Sequence, residues 1–256
     1  MPELNEASPR RMRRIGHKGA DHIAPGNTTA SFDAALAHGC DMVEFDVLPE
    51  HADGTGRLLL AHDYRDAERR TPLTLEEGLD HLGTEPFAGV ELNVDLKLPG
   101  YEERVIAALR ERGLEARTLI STMEVESLPV VRAASRAVRL GWSVPKVRRN
   151  YLAHPATRPL ALATVQVLRR TVPRAVARAL RAGEIDAAMS HFSLVTPHFV
   201  RTVRRAGGEL YVWTVDDAER IRRFERMGVA GVTTNDPRLF DRPAEAARGE
   251  VRPPTW

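Results

Sequence analysis

The sequence predicts a (β/α)8 barrel. Eight short β-prone apolar runs recur along the 256 residues, and amphipathic helical stretches separate most of them. That alternation, in ~250 residues, is the arithmetic of a closed parallel barrel. A doubly wound sheet, the main rival, usually has fewer strands and a Gly-x-Gly-x-x-Gly loop after its first strand, and "GHKGAD" (16–21) is not such a loop.

The predicted strands are Arg14–His17, Met42–Val47, Gly89–Leu96, Thr118–Ser121, Val138–Trp142, Ile185–Ser190, Glu209–Val215 and Gly231–Thr234. They are short, and most are rich in apolar and β-branched residues. Helical periodicity marks "TTASFDAALAHG", "YEERVIAALRERG", "VESLPVVRAASR", "TPHFVRTVRRAGG" and "DDAERIRRFERMG". Several of these stop at glycine, and Thr196-Pro197 and Asp216-Asp217 provide N-terminal caps. Residues 48–88 break the repeat. They hold the run Leu58–Ala61 and a short helix, "TLEEGLDHLG", and are expected to form an enlarged loop after the second strand. Residues 12–240 are expected to form one barrel domain, with 1–11 and 241–256 as polar, proline-containing tails.

Composition narrows the function. Apolar content of 43% supports a large core, and a net charge of +2 carries no nucleic-acid footprint. The basic residues are mostly arginine, in runs such as "RRMRR", "VLRRTVPRAVARALR" and "RRFERM", expected to lie on solvated helix faces. The single cysteine, Cys40, permits no internal disulfide and no cysteine-based zinc site. The N-terminal stretch has no apolar signal core, and no run approaches the ~18–20 apolar residues of a membrane span. The expected compartment is the cytoplasm, with no stable membrane insertion; the composition does not specify an oligomeric state.

The chemistry gathers at predicted strand ends, where barrel active sites lie. Glu44 and Asp46 are two apart on a strand and so face together. Asp95 and Lys97 repeat that arrangement on the next strand, the first strand ends in His17 and Lys18, the enlarged loop delivers His62, and the seventh predicted strand carries Trp213. Three carboxylates from neighbouring strands suit a hard cation, Mg2+ or Ca2+. Two lysines offer charge to a phosphate, and two histidines can supply an acid and a base. Together these features describe phosphodiester cleavage. The remaining histidines, His22, His38, His51, His81, His154, His191 and His198, read as surface or local packing.

The chain resembles the glycerophosphodiester phosphodiesterase family. That family's H-R-G-x, P-E-N-T, S-F-x-x-A, G-x-D-x-x-E-x-D-V and H-D motifs are similar to His17–Ala20, Pro25–Thr28, Ser31–Ala35, Gly39–Val47 and His62-Asp63. Its E-x-K is matched by Asp95-Leu96-Lys97, its W-T-V-N by "WTVDD", and its G-V-D-G-I-x-T-D-x-P by "GVAGVTTNDP". The resemblance spans about residues 14–240 and implies a TIM barrel with a small insertion after the second strand. It also implies that Glu44, Asp46 and Asp95 hold a divalent metal, that His17 and His62 are the acid–base pair, and that Lys18 and Lys97 bind the substrate phosphate. Trp213, at a predicted strand end, reads as either a core filler or a substrate-facing wall of the pocket. The implied reaction is attack of the glycerol hydroxyl on phosphorus, release of an alcohol, and opening of a cyclic phosphate by water. Three positions depart from the pattern: Lys18 replaces Arg, Gly26 replaces the Glu of P-E-N-T, and Asp95 replaces Glu. These shift headgroup preference more than reaction type. Two alternatives follow: a phospholipase D (sphingomyelinase D)-like enzyme acting on lysophospholipids, and a catalytically inactive barrel that binds a phosphometabolite.

Overall fold

The computed structural model describes residues 11–146 and 158–241. Among these the chain runs β1 (Arg13–Gly16), α1 (Thr29–Ala37), β2 (Met42–Pro49), β3 (Leu58–Leu59), α2 (Tyr64–Arg69), α3 (Leu75–Leu82), β4 (Glu91–Leu96), α4 (Glu102–Glu111), β5 (Thr118–Thr122), α5 (Ser127–Ala134), β6 (Arg139–Val144), α6 (Arg158–Arg181), β7 (Ala187–His191), α7 (Pro197–Arg205), β8 (Glu209–Trp213), α8 (Ala218–Met227) and β9 (Gly231–Thr234). Eight strands pair in parallel, and β1 bonds both β2 and β9, which closes the barrel. The short β3 lies outside the ring, antiparallel to the end of β2 through Leu48 and Leu59.

Local chemistry sets the element ends. Thr28 caps α1 and Thr74 caps α3, each in a reciprocal box with the residue three positions on, Ser31 and Glu77. Asp217 caps α8, which stops at Gly228 in the left-handed region. Along β2 every residue is buried. Val43, Phe45 and Val47 pack outward against the helices, whereas Met42 joins Ile15, Leu119, Ala187, Met189 and Tyr211 inside the barrel. The period of two therefore turns Glu44 and Asp46 inward.

The structure corrects several boundaries. His17 lies just beyond β1, β4 starts at Glu91 rather than Gly89, and β8 ends at Trp213 rather than Val215. The helix at Leu75–Leu82 is not part of a loop. It buries Leu75, Leu79 and Leu82 and serves as the barrel's own helix after β2, so the insertion is only the segment that carries β3 and α2. The "RRMRR" run does not form a helix face, because Arg13 and Arg14 belong to β1. Arg13 enters the bottom of the barrel instead, where it and Arg139 pair with Glu91 and Glu209 at 2.7–3.0 Å. Two cations against two anions leave that end balanced. The expected tails lie almost wholly outside the described residues, as does His154.

Candidate active site

The opposite end of the barrel is not balanced. Glu44, Asp46 and Asp95 bring carboxylate oxygens within 4.8 Å of one another. The register makes this possible: Asp46 of β2 stands beside Asp95 of β4, and Asp95 beside Ser121 of β5. The Lys97 ammonium bridges two of the acids, 2.5 Å from Asp46 Oδ1 and 2.5 Å from Asp95 Oδ2. One ammonium against three carboxylates leaves an excess of two negative charges, which a divalent cation would neutralise. The donors are all oxygen, so the residues fit a hard cation.

The local electrostatics record the crowding. Burial, and then the Asp46 charge, hold the Glu44 carboxyl well above its ordinary range. Burial pushes Asp46 the same way, but Lys97, His62 and His17 override it and keep that acid strongly depressed. Burial works against the Lys97 ammonium too, yet the surrounding carboxylates raise its pKa.

Neighbouring groups fix each acid. Glu44 Oε2 accepts from the Lys18 N–H at 2.8 Å, and Asp95 Oδ1 accepts from Ser121 Oγ at 2.7 Å. Asn27 clasps Asp46 twice: its Nδ2 donates to Asp46 Oδ2 at 2.9 Å, and its Oδ1 accepts from the Asp46 N–H at 3.0 Å. Asn27 is fully buried and adopts a left-handed φ of 58°. Asn27→Ala should therefore cost about 2–4 kcal/mol, from two buried groups left unpaired and a strained φ. Asn27→Gly should recover the strain and not the hydrogen bonds, and urea unfolding of the two variants separates the contributions.

The turn after β1 presents His17 and Lys18. Gly19 has φ 83°, and a side chain there would lie 2.5 Å from the Ser31 backbone, so only glycine fits. The Lys18 ammonium pairs with Asp21 at 2.8 Å. Asp21 also accepts from the Gly26 N–H at 2.8 Å, and a side chain on residue 26 would meet its carboxylate at 2.5 Å. Asp21 thus occupies the space that glycine leaves empty and sets a carboxylate against the Lys18 ammonium. His17 is 3.8 Å from Glu44 through Nε2, and its Nδ1 meets Asn235 Oδ1 at 2.6 Å. Burial, and then Lys18, lower its pKa.

His62 arrives on the inserted segment. Asp63 caps α2 by accepting from the Asp66 N–H at 2.8 Å. Asp66 in turn accepts from the His62 N–H at 3.1 Å and is gripped by Arg70 at 2.8 and 3.0 Å. The ring stays half exposed, close enough to Asp46 to help depress that acid.

Trp213 ends β8 inside the barrel mouth, edge-on to His191 with ring centroids 5.2 Å apart. Its indole Nε1 is buried with no hydrogen-bond partner. His191 ends β7, with Nδ1 2.8 Å from Ser193 Oγ, so it lines the mouth rather than the outer surface. Burial, and then Arg220, pull its pKa down to about 4. The unfolded chain, with an ordinary value near 6.5, binds the proton first. Stability is unaffected above pH 6.5, falls as pH drops towards 4, and loses about 3 kcal/mol in all. His191→Gln should lose less stability than the parent between pH 7 and pH 4 in denaturant titrations; equal losses would exclude the ring as the source.

Asn27 and Asn235 are functional residues that no local period marks; each lies inside a motif stretch, "PGNT" and "VTTNDP", and gains its role only where the fold buries it.

A closed parallel barrel whose carboxylates converge with a lysine at the C-terminal mouth is the arrangement of a barrel enzyme, and its acidic cluster fits a divalent cation. The glycerophosphoryl diester phosphodiesterase family model matches residues 17–49 and 73–239, and the chain belongs to that family. It is a phosphoric diester hydrolase that acts on glycerophosphodiesters. The unmatched residues between these blocks are the insertion, so His62 lies outside the match. A glycerophosphodiester phosphodiesterase from Caldanaerobacter subterraneus subsp. tengcongensis is 25% identical over 87% of this chain and 93% of its own. A Silicibacter pomeroyi structure, described as a candidate enzyme of this kind, superposes with TM-score 0.70 at 22% identity, covering 91% of this chain and 93% of that one. An Oleispira antarctica phosphodiesterase, solved with its product sn-glycerol-3-phosphate, gives TM-score 0.63 at 21% identity, covering 91% and 98%. At these identities the two structures bear on the fold. Of the three functions weighed from sequence, the family match favours glycerophosphodiester hydrolysis.

Proposed function

We propose that Glu44, Asp46 and Asp95 hold Mg2+ or Ca2+, that Lys97 and Lys18 receive the phosphate, and that His17 and His62 exchange protons with the substrate. The observation that carries this reading is the convergence of the three carboxylates within 4.8 Å beside His17. A bound divalent ion would supply Lewis-acid stabilisation of charge on the phosphoryl oxygens. His17 Nε2 faces Glu44 from the β1 side and His62 approaches on the segment after β2, so one ring can take the attacking hydroxyl's proton while the other protonates the leaving oxygen. Lys97 holds positive charge where the phosphate gains negative charge, and Trp213 walls the side on which the glycerol or its alcohol lies.

The substrate in this reading is a small glycerophosphodiester, as the product of the Oleispira enzyme suggests, and the product is glycerol phosphate. The role fits lipid and glycerol metabolism in the cytoplasm, a setting that the single buried Cys40 suits. Among the described residues no helix is long and apolar enough to cross a membrane. The test is a panel of glycerophosphodiesters and lysophospholipids with added Mg2+ or Ca2+, followed by 31P NMR. Release of alcohol from the glycerophosphodiesters, with a transient cyclic phosphate, is expected. Turnover confined to lysophospholipids would overturn the substrate assignment.

A further inference from the structure

His17 is held by a second layer that the proposed mechanism leaves unused. Its Nδ1 meets Asn235 Oδ1 at 2.6 Å. Asn235 Nδ2 donates to Asp216 Oδ2 at 2.7 Å, and the Asn235 N–H donates to Asp216 Oδ1 at 2.8 Å. The Thr234 hydroxyl also donates to Asp216 Oδ1, at 2.9 Å. Three groups therefore point donors at Asp216, and only a carboxylate accepts from all of them. That requirement dictates which way the Asn235 amide faces. With Nδ2 committed to Asp216, the atom turned to His17 is the carbonyl oxygen, a pure acceptor, and His17 must carry its proton on Nδ1. Nε2, the nitrogen on the Glu44 side, is left with the lone pair.

We propose that Asp216 and Asn235 are positioning residues that lock His17 in its Nδ1–H tautomer and aim Nε2 at the reacting groups. The proposal rests on the catalytic role assigned to His17 above. The family pattern given with the sequence, W-T-V-N and T-D-x-P, has these two residue types the other way round from Asp216 and Asn235. Either order keeps one acceptor towards the histidine and one donor–acceptor pair between the two side chains. The order found here moves the negative charge one residue further from the ring. Asp216, which the sequence suggested as a helix cap, is free for this because Asp217 alone caps α8.

Asp216→Asn should flip the tautomer. In Asp216→Asn, the new Oδ1 must still accept from the Asn235 backbone N–H, a donor that cannot reverse, which leaves an NH2 facing the NH2 of Asn235. Asn235 must then turn over, present NH2 to His17 Nδ1, and push the ring proton to Nε2. Nitrogen-15 NMR of histidine-labelled, metal-free protein at pH 8 reads this directly, with His17 assigned from the His17→Ala spectrum. The parent should show Nδ1–H and Asp216→Asn should show Nε2–H, with kcat down on the order of 10²-fold and KM little changed. The reversed pair, D216N/N235D, should restore both the Nδ1–H tautomer and most of kcat, a rescue that a merely structural contact would not give. An Nε2–H parent, an unchanged tautomer in Asp216→Asn, or a reversed pair that recovers neither would overturn the proposal. Should Asp216→Asn fail to fold, the parent spectrum, together with loss of a single tautomer in Asn235→Ala, decides it. A silent His17→Ala would overturn the catalytic role of His17 and leave the tautomer result standing, so the two failures are distinguishable.

Discussion

His17→Ala and His62→Ala should each lose roughly 10²–10⁴-fold in kcat, the range for a lost acid–base group. His17 is partly buried, tied to Asn235 and 3.8 Å from Glu44. His62 is half exposed, and Asp66 and Arg70 hold its backbone. The two rings reach the site on separate segments, so either loss leaves the other in place. Metal binding should survive both changes, because neither ring belongs to the carboxylate cluster. Controls are available in His22→Ala and in His81→Ala, whose ring pairs with Asp33 at 2.8 Å on the exterior. Both should be nearly silent. Wild-type turnover in His62→Ala with a dead His81→Ala would move the catalytic base off the inserted segment.

Removing the metal should abolish turnover, and adding Mg2+ or Ca2+ back should restore it. Asp46→Asn should lose on the order of 10³-fold even at saturating metal, since charge stabilisation by a bound ion is worth several kcal/mol. The structure also predicts a change in stability. Without a divalent ion, the excess negative charge is relieved by holding Glu44 far above its ordinary pKa. Metal at 100 times its dissociation constant should add about 2.7 kcal/mol, a rise in Tm of roughly 5–10 °C for a chain of this size. The Asp46→Asn variant should show a much smaller rise. Full activity in excess chelator, with metal-free protein verified by elemental analysis, would refute the metal assignment.

Much of this was legible in the sequence, for a physical reason. Helical and strand periodicities are local, so "YEERVIAALRERG" and "MVEFDV" declare their elements without reference to the rest of the chain. A period of two turns Glu44 with Asp46, and Asp95 with Lys97, to one face wherever the strands lie. Element ends were less legible. His17 and Val215 sit at strand edges, where pairing with a neighbour, and not composition, decides the last residue.

Other features needed the closed barrel. Arg13 looks like part of a basic surface run, yet it lies opposite Glu91, Glu209 and Arg139 only once β1, β4, β6 and β8 share a ring. Lys18 reads as a free cation until the turn folds Asp21 into the space above Gly26. The residue pair that orients His17 is the clearest case. His17 and Asn235 are 218 positions apart, and Asn235 and Asp216 are 19 apart. The chain determined by itself which residue types alternate, which faces they share, and that three acids would meet. Only the tertiary structure decided which nitrogen of His17 carries its proton, because that depends on the pairing of β1 with β9, a contact no local period encodes.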